Sequence, residues 1–108
     1  LGGGREHVSS LAGLAMARAA RGDREGARRL LLAAEAPATA SGLYPAHSVV
    51  WVAEEWGALG DRDRAIALLR RFPDPTDLHF QLHLRHDPGM QPLSGDPRFA
   101  SLLSRAAP

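Results

Sequence analysis

His79 and His83 stand four residues apart in DLHFQLHLRHD, with His86 and Asp87 just beyond. On a helix that spacing puts both imidazoles on one face, where they suit a divalent transition metal. Phe80-Gln81 follows His79, so the glutamate base of an H-E-x-x-H hydrolase is missing. The histidines therefore read as surface or packing residues. Glu54-Glu55 is the next candidate, a pair of carboxyls for acid–base work. Adjacent helical side chains diverge by about 100°, and the pair reads as a solvated face. Serines occur at 9, 10, 41, 48, 94, 101 and 104, none in a G-x-S-x-G elbow. Ser48, beside His47, reads as a helix cap. LGGGRE at the start lacks the Walker lysine and a preceding strand, so it is no phosphate loop. With no cysteine, a disulfide, a thiolate metal site and a cysteine nucleophile are excluded. The expectation is a non-enzyme, with no catalytic residue, cofactor or metal site.

The 108 residues are enough for one domain with a modest core. Alanine dominates the 44% hydrophobic fraction, favouring helix and close helix approach. Thirteen basic residues, all arginine, face 12 acidic ones, for a net charge of +1. That balance argues against nucleic-acid or membrane-surface partners. Arg28-Arg29 and Arg70-Arg71 read as charges offsetting the dipole at helix C-termini. No apolar run is long enough to span a bilayer and no secretory signal is visible, which together with the missing cysteine suggests the cytoplasm. The chain starts at Leu1 rather than Met, so a fragment of a larger protein is expected.

The elements follow from periodicity. In HSVVWVAEEWGALGDRDRAIALLRRF, residues 47–72, Val49, Val52, Ala53 and Trp56 fall at i, i+3, i+4 and i+7. Gly60 ends that helix and Asp61 caps the next. Ala65, Leu68, Leu69 and Phe72 repeat the spacing before Pro73 stops it. Only Gly60 and Asp61 separate the helices, so they must form a hairpin. Upstream, Leu11, Leu14 and Ala15, then Gly22-Asp23, then Ala27, Leu30, Leu31 and Ala34 follow the same plan. GDREGARRLL (22–31) aligns with GDRDRAIALL (60–69) without a gap, at an offset of 38 residues, inside the 20–50 range of stacked repeats. Residues 1–6 read as a flexible leader and 7–108 as the domain. Helices are expected over 7–20, 24–36, 45–59 and 62–72, with a loop from Ala36 to Pro45. A short helix near 77–85 is capped by Thr76 or Asp77. Asp87-Pro88-Gly89 makes a turn, and a last helix starts at Asp96-Pro97.

Each unit resembles a tetratricopeptide repeat, W-x2-L-G-x2-Y, then A-x3-F, then P. The first unit (7–36) offers Leu11, Leu14, Ala15, Arg18, Ala27, Leu31 and Pro37; the second (45–73) offers Val49, Val52, Ala53, Trp56, Ala65, Leu69 and Pro73. Arg18 departs from the expected aromatic, its stem able to cover apolar surface. The 38-residue offset exceeds the family's 34. The tail 76–108 resembles the segment that closes such arrays in many bacterial proteins, through Asp87, Pro88, Pro92, Leu93, Asp96, Pro97, Arg98, Phe99, Leu102 and Leu103. The resemblance implies an all-α fold: antiparallel helical hairpins stacked as a short tetratricopeptide-like α-solenoid with a C-terminal capping helix.

It also implies a function, a non-enzymatic protein–protein interaction scaffold at the C-terminal end of a bacterial protein. The alternative is a non-catalytic regulatory segment of a kinase, nucleotide cyclase or DNA-binding regulator. Carried over by motif position, the peptide groove is lined by Ser9, Ala12, Met16 and Ala19, with Ala20, and by His47, Val50, Glu54 and Gly57, with Ala58. The chain has neither lysine nor asparagine, so the family's clamp on a C-terminal carboxylate is not expected. A short helix or an extended apolar peptide suits these small residues. Upstream repeats or a covalently linked effector domain are the other expected occupants.

Overall fold

The computed structural model describes residues 4–40 and 45–104, apart from the side chains at 4–7, 9, 45 and 104. The described residues are helical, joined by turns. Six α-helices run α1 (Gly4–Ala20), α2 (Arg24–Ala40), α3 (Pro45–Ala58), α4 (Arg62–Arg70), α5 (Leu78–His86) and α6 (Pro97–Ser104), with a 3-10 helix at Pro88–Leu93 between the last two. α1 packs along α2, and α3 along α4. α3 also meets α1, α2, α5 and the 3-10 helix, so it is the centre of the molecule. No described helix is long and apolar enough to cross a membrane.

The two turns are built alike. Gly22 has φ +84° and Gly60 φ +87°, left-handed values that side chains with a Cβ resist. Asp23 accepts from Gly26 N at 2.8 Å and Asp61 from Arg64 N at 3.1 Å, each satisfying a free N–H at a helix start. Asp77 caps α5 in the same way, accepting from Phe80 N at 3.0 Å. At α6, Asp96 takes the N–H of Arg98 at 2.8 Å and the guanidinium of Arg98 as well. That guanidinium, through its hydrogen bond first, holds the Asp96 carboxyl down to about 2. It also reaches Asp63 at 2.8 Å, tying α6 to α4.

Some boundaries differ from the sequence expectation. α1 begins at Gly4, inside the expected leader, whose residues 1–3 lie outside the described ones. α2 runs four residues past Ala36, through Pro37. A proline there leaves the Ala33 carbonyl without its helical N–H, and one turn on the Thr39 hydroxyl donates back to the carbonyls of Glu35 and Ala36. Ala34 and Ala38 stay buried on the two sides of Pro37, so packing carries the helix through. The expected loop is thereby shortened, and its residues 41–44 lie outside the described ones. Asp87-Pro88-Gly89 opens a 3-10 helix rather than a simple turn.

The core faces of α3 and α4 fall as the periodicity requires: Val49, Val52, Ala53, Trp56, Ala65, Leu68, Leu69 and Phe72 are buried. α1 differs. Its buried stripe is Val8, Ala12, Ala15, with Ala19 packed against it, whereas Leu14 is 54% exposed. Apolar residues ring α1 on several sides, so spacing alone did not select its face. Arg18 is exposed and pairs with Asp23 at 3.3 Å rather than covering apolar surface.

The hairpins are joined through α2. Glu35 accepts from the Trp56 indole at 2.9 Å, from Arg64 at 3.2 Å and from Arg71 at 3.5 Å. The Arg28 and Arg64 guanidiniums lie 5.4 and 5.3 Å from the Trp56 ring centroid, within cation–π range. Arg28 also pairs with Asp61 at 2.8 Å, and Arg24 donates to the Leu59 carbonyl. Arg24, Arg28, Leu31 and Glu35 are spaced i, i+4, i+7 and i+11, one stripe of α2. Arg28 thus lies mid-helix and bridges the hairpins, not at a helix C-terminus.

Replacing Trp56 tests this junction. Trp56→Phe keeps most of the buried surface but loses the bond to a charged acceptor, so urea unfolding should show a loss of about 1–3 kcal/mol. Trp56→Asp and Leu69→Asp each place an unpaired charge in the core, and both should abolish cooperative melting by circular dichroism.

Candidate functional site

A cleft of about 330 Å³ opens where α1 and α3 pass each other. Ala15, Met16 and Ala19 line the α1 side, and Trp51, Glu54, Glu55 and Ala58 the α3 side. Leu31 of α2 is part of the wall, and Leu59 and Gly89 complete it. The volume falls in the range of small-ligand and side-chain pockets.

The wall is apolar apart from the two glutamates, which is unexpected for an adjacent pair read as a solvated face. Although Glu54 and Glu55 diverge around α3, that helix is covered on most sides, by α1 and α2 as well as by the segment after α5. Both carboxyls are therefore drawn out of water. Glu55 is only 8% exposed and neither of its oxygens finds a hydrogen-bond partner among the described residues; the same holds for Oε2 of Glu54. Burial pushes the Glu55 carboxyl up to about 7, the neighbouring Trp51 indole offsetting part of the rise. Burial likewise pushes Glu54 up to about 8, aided by its hydrogen bond and repulsion with Asp87 and by the charge of Glu55.

Glu54 and Asp87 lie close enough to move each other in opposite directions, Glu54 upward and Asp87 downward. Burial would raise Asp87, but the hydrogen bonds from Glu54 and from His83 outweigh it and hold Asp87 below its ordinary value. His83 Nδ1 lies 2.9 Å from Asp87, and the His83 ring is 5.6 Å from that of His47. His47 in turn meets Trp51 edge to face at 5.8 Å. Gly89 presses on this cluster: a Cβ there would meet Glu54 Cδ at 2.7 Å. Glycine at 89 thus permits the close approach that covers the Glu54 carboxyl.

The groove positions taken from the motif divide into three sets. Met16, Ala19 and Glu54 come together in the cleft, with Ala58; Met16 is 59% exposed. Ala12, Val50 and Gly57 are buried and offer no open lining. Gly57 is covered by the chain itself, with Pro92 and Leu93 side-chain atoms 3.6–3.8 Å from where its Cβ would stand. His47 is exposed beside the cluster just described, Ala20 is exposed, and the Ser9 side chain lies outside the described residues. The histidine candidates are not assembled: His79 is exposed, while His83 is committed to Asp87. Among the described residues no group of three histidines, cysteines or carboxylates is placed to hold a metal ion. Ser48 is buried, its hydroxyl unpartnered among the described residues.

Motif transfer missed Glu55 and Trp51, because the family groove is read from one stripe of the first helix. The missed signal was local: two carboxylates inside VVWVAEEWGAL, a stretch too apolar for a solvated face.

Comparison with known proteins finds no match to a family model, to a curated protein or to a solved structure.

The glutamates set a pH dependence. A carboxyl raised on folding binds its proton more tightly in the native state, so stability falls as pH rises from the ordinary carboxylate range through the folded pKa. The window here runs from about 4.5 to about 8. The lowered carboxyls Asp23, Asp61 and Asp96 act oppositely, but below that window. The melting temperature should therefore drop between pH 5.5 and 8.5. Glu55→Gln, neutral throughout, should flatten the drop and melt higher than wild type at pH 8.5.

Proposed function

We propose that the chain is a non-enzymatic, tetratricopeptide-like binding module that docks a segment of a partner protein in the cleft between α1 and α3. One observation carries the reading. The first helices of two hairpins built on the same Gly-Asp turn enclose that cleft, and they do so with Met16, Ala19, Glu54 and Ala58. Those are groove positions the repeat motif assigns to ligand contact. The mutual packing of α3 with α1 and α2 supports a stacked arrangement of hairpins, as in helical-repeat scaffolds. The C-terminal segment, α5 to α6, fits the part of a cap: Phe80 stacks on Phe72 at 4.4 Å, and Gln81 donates to the carbonyls of Pro75 and Leu102. An exposed Met16 on an apolar wall is the adaptable surface that peptide-binding sites favour.

Peptide display against the whole 108-residue chain tests this reading. Peptides enriched on wild type should lose about tenfold or more in affinity for Ala58→Trp, which fills the cleft from an exposed position. Undiminished binding to that variant, or no enrichment at all, would overturn docking in the cleft.

A further inference from the structure

Glu55 lies in the cleft with no hydrogen bond or ion pair of normal geometry among the described residues, although the chain has thirteen arginines. Other carboxylates of the fold have found theirs: Arg18 holds Asp23, Arg28 holds Asp61, Arg64 and Arg71 hold Glu35, and Arg98 holds Asp63 and Asp96. Among the described residues neither Glu54 nor Glu55 takes part in any ion pair. Buried carboxyl oxygens without hydrogen bonds are rare in folded proteins, and each calls for a cause.

Resting on the docking reading above, we propose that the cleft receives a lysine or arginine side chain from the partner, its stem against Met16 and Ala19 and its charged head on Glu55 and Glu54. The walls fit both ends of such a side chain. Small and flexible apolar groups on α1 suit a methylene stem. The Trp51 ring beside the carboxyls favours a cation further. The Glu55 oxygens are withdrawn behind the apolar lining, and Glu55, with the Trp51 indole beside it and no ion pair among the described residues, turns to the ligand about its soft terminal torsion. Glu54 is fixed by Asp87 and Gly89 and supplies the second negative wall.

Binding and protonation then compete. The titratable groups facing Glu54 and Glu55 are each other and Asp87, with His83 and His47 beyond Asp87. The α1 and α2 walls contribute Ala15, Met16, Ala19 and Leu31, none of which titrates. A cation needs the ionised carboxyls, so affinity rises from pH 6 to pH 8, while the stability of the free protein falls over the same interval.

The test uses three N-acetylated, C-amidated pentapeptides, alanine throughout except for a central lysine, norleucine or glutamate. Each is titrated into the ¹⁵N-labelled chain at pH 7.5 and followed by amide shifts. The lysine peptide should move the amides of Ala15, Ala19, Ala58 and Gly89 and bind about tenfold tighter than the norleucine peptide, the scale of a hydrogen-bonded charge. That preference should collapse in Glu55→Gln, whose own spectrum reports whether the fold is kept, and should weaken in Glu54→Gln. Equal binding of lysine and norleucine peptides at these amides would overturn the cation while leaving docking in the cleft intact. Shifts confined to other surfaces, or none with any peptide, would also overturn the cation proposal; docking itself is judged separately by the display experiment.

Discussion

The fold depends on how Trp56 is held. Its ring is fully buried, its indole N–H is spent on Glu35 of α2, and two arginines flank its faces. A helical hairpin of this size buries one face and leaves another open, so neither hairpin is self-sufficient. The Trp56–Glu35 contact is where the two open faces meet, and it joins apolar burial to a charge network in one place. Glu35 could not sit there alone, since a nearly buried carboxylate needs its charge answered; Arg64 and Arg71 of the second hairpin answer it. The cleft is a consequence of the same junction. With α2 locked against α3 and α4, α1 is left to pass α3 over small residues, and the gap between them opens at Ala15, Met16 and Ala19.

The second constraint works against stability. Placing Glu54 and Glu55 on the most covered helix draws both toward the interior, and among the described residues neither has a cation in an ion pair. Burial raises both carboxyls toward neutral pH, and the neighbouring Asp87 raises Glu54 further. A purely structural helix would gain by carrying apolar residues or glutamine there.

The sequence reading was most accurate where local rules decide the outcome. The Gly-Asp turns, the Asp caps and the apolar faces of α3 and α4 follow from backbone geometry and 3.6-residue spacing. It failed where tertiary context decides. Pro37 did not end α2, because Ala34 and Ala38 are packed across it. Leu14 turned outward, because α1 is apolar on several sides and the small residues pack closer. Arg28 answers no helix dipole, because its partner is Asp61, 33 residues away. Of the residues that line the cleft, Met16, Ala19 and Glu54 stand at positions the motif names. Gly57 stands at one too but does not line the cleft, since the chain's own Pro92 and Leu93 cover it. Glu55 and Trp51 lie off the motif stripe, and only the apolar run around them pointed to burial.

Two carboxyls, Glu54 and Glu55, line this cleft with little access to water and no ion pair among the described residues. The most direct measurement is a carbon-13 titration of the Glu54 and Glu55 side-chain carboxyls in the free protein. Midpoints near 8 and 7, with Asp87 titrating below its ordinary value, are the predicted result. Midpoints for both glutamates near 4.5, the value of an unperturbed glutamate, would mean that the carboxyls are solvated or already paired. The account of the cleft would then fail.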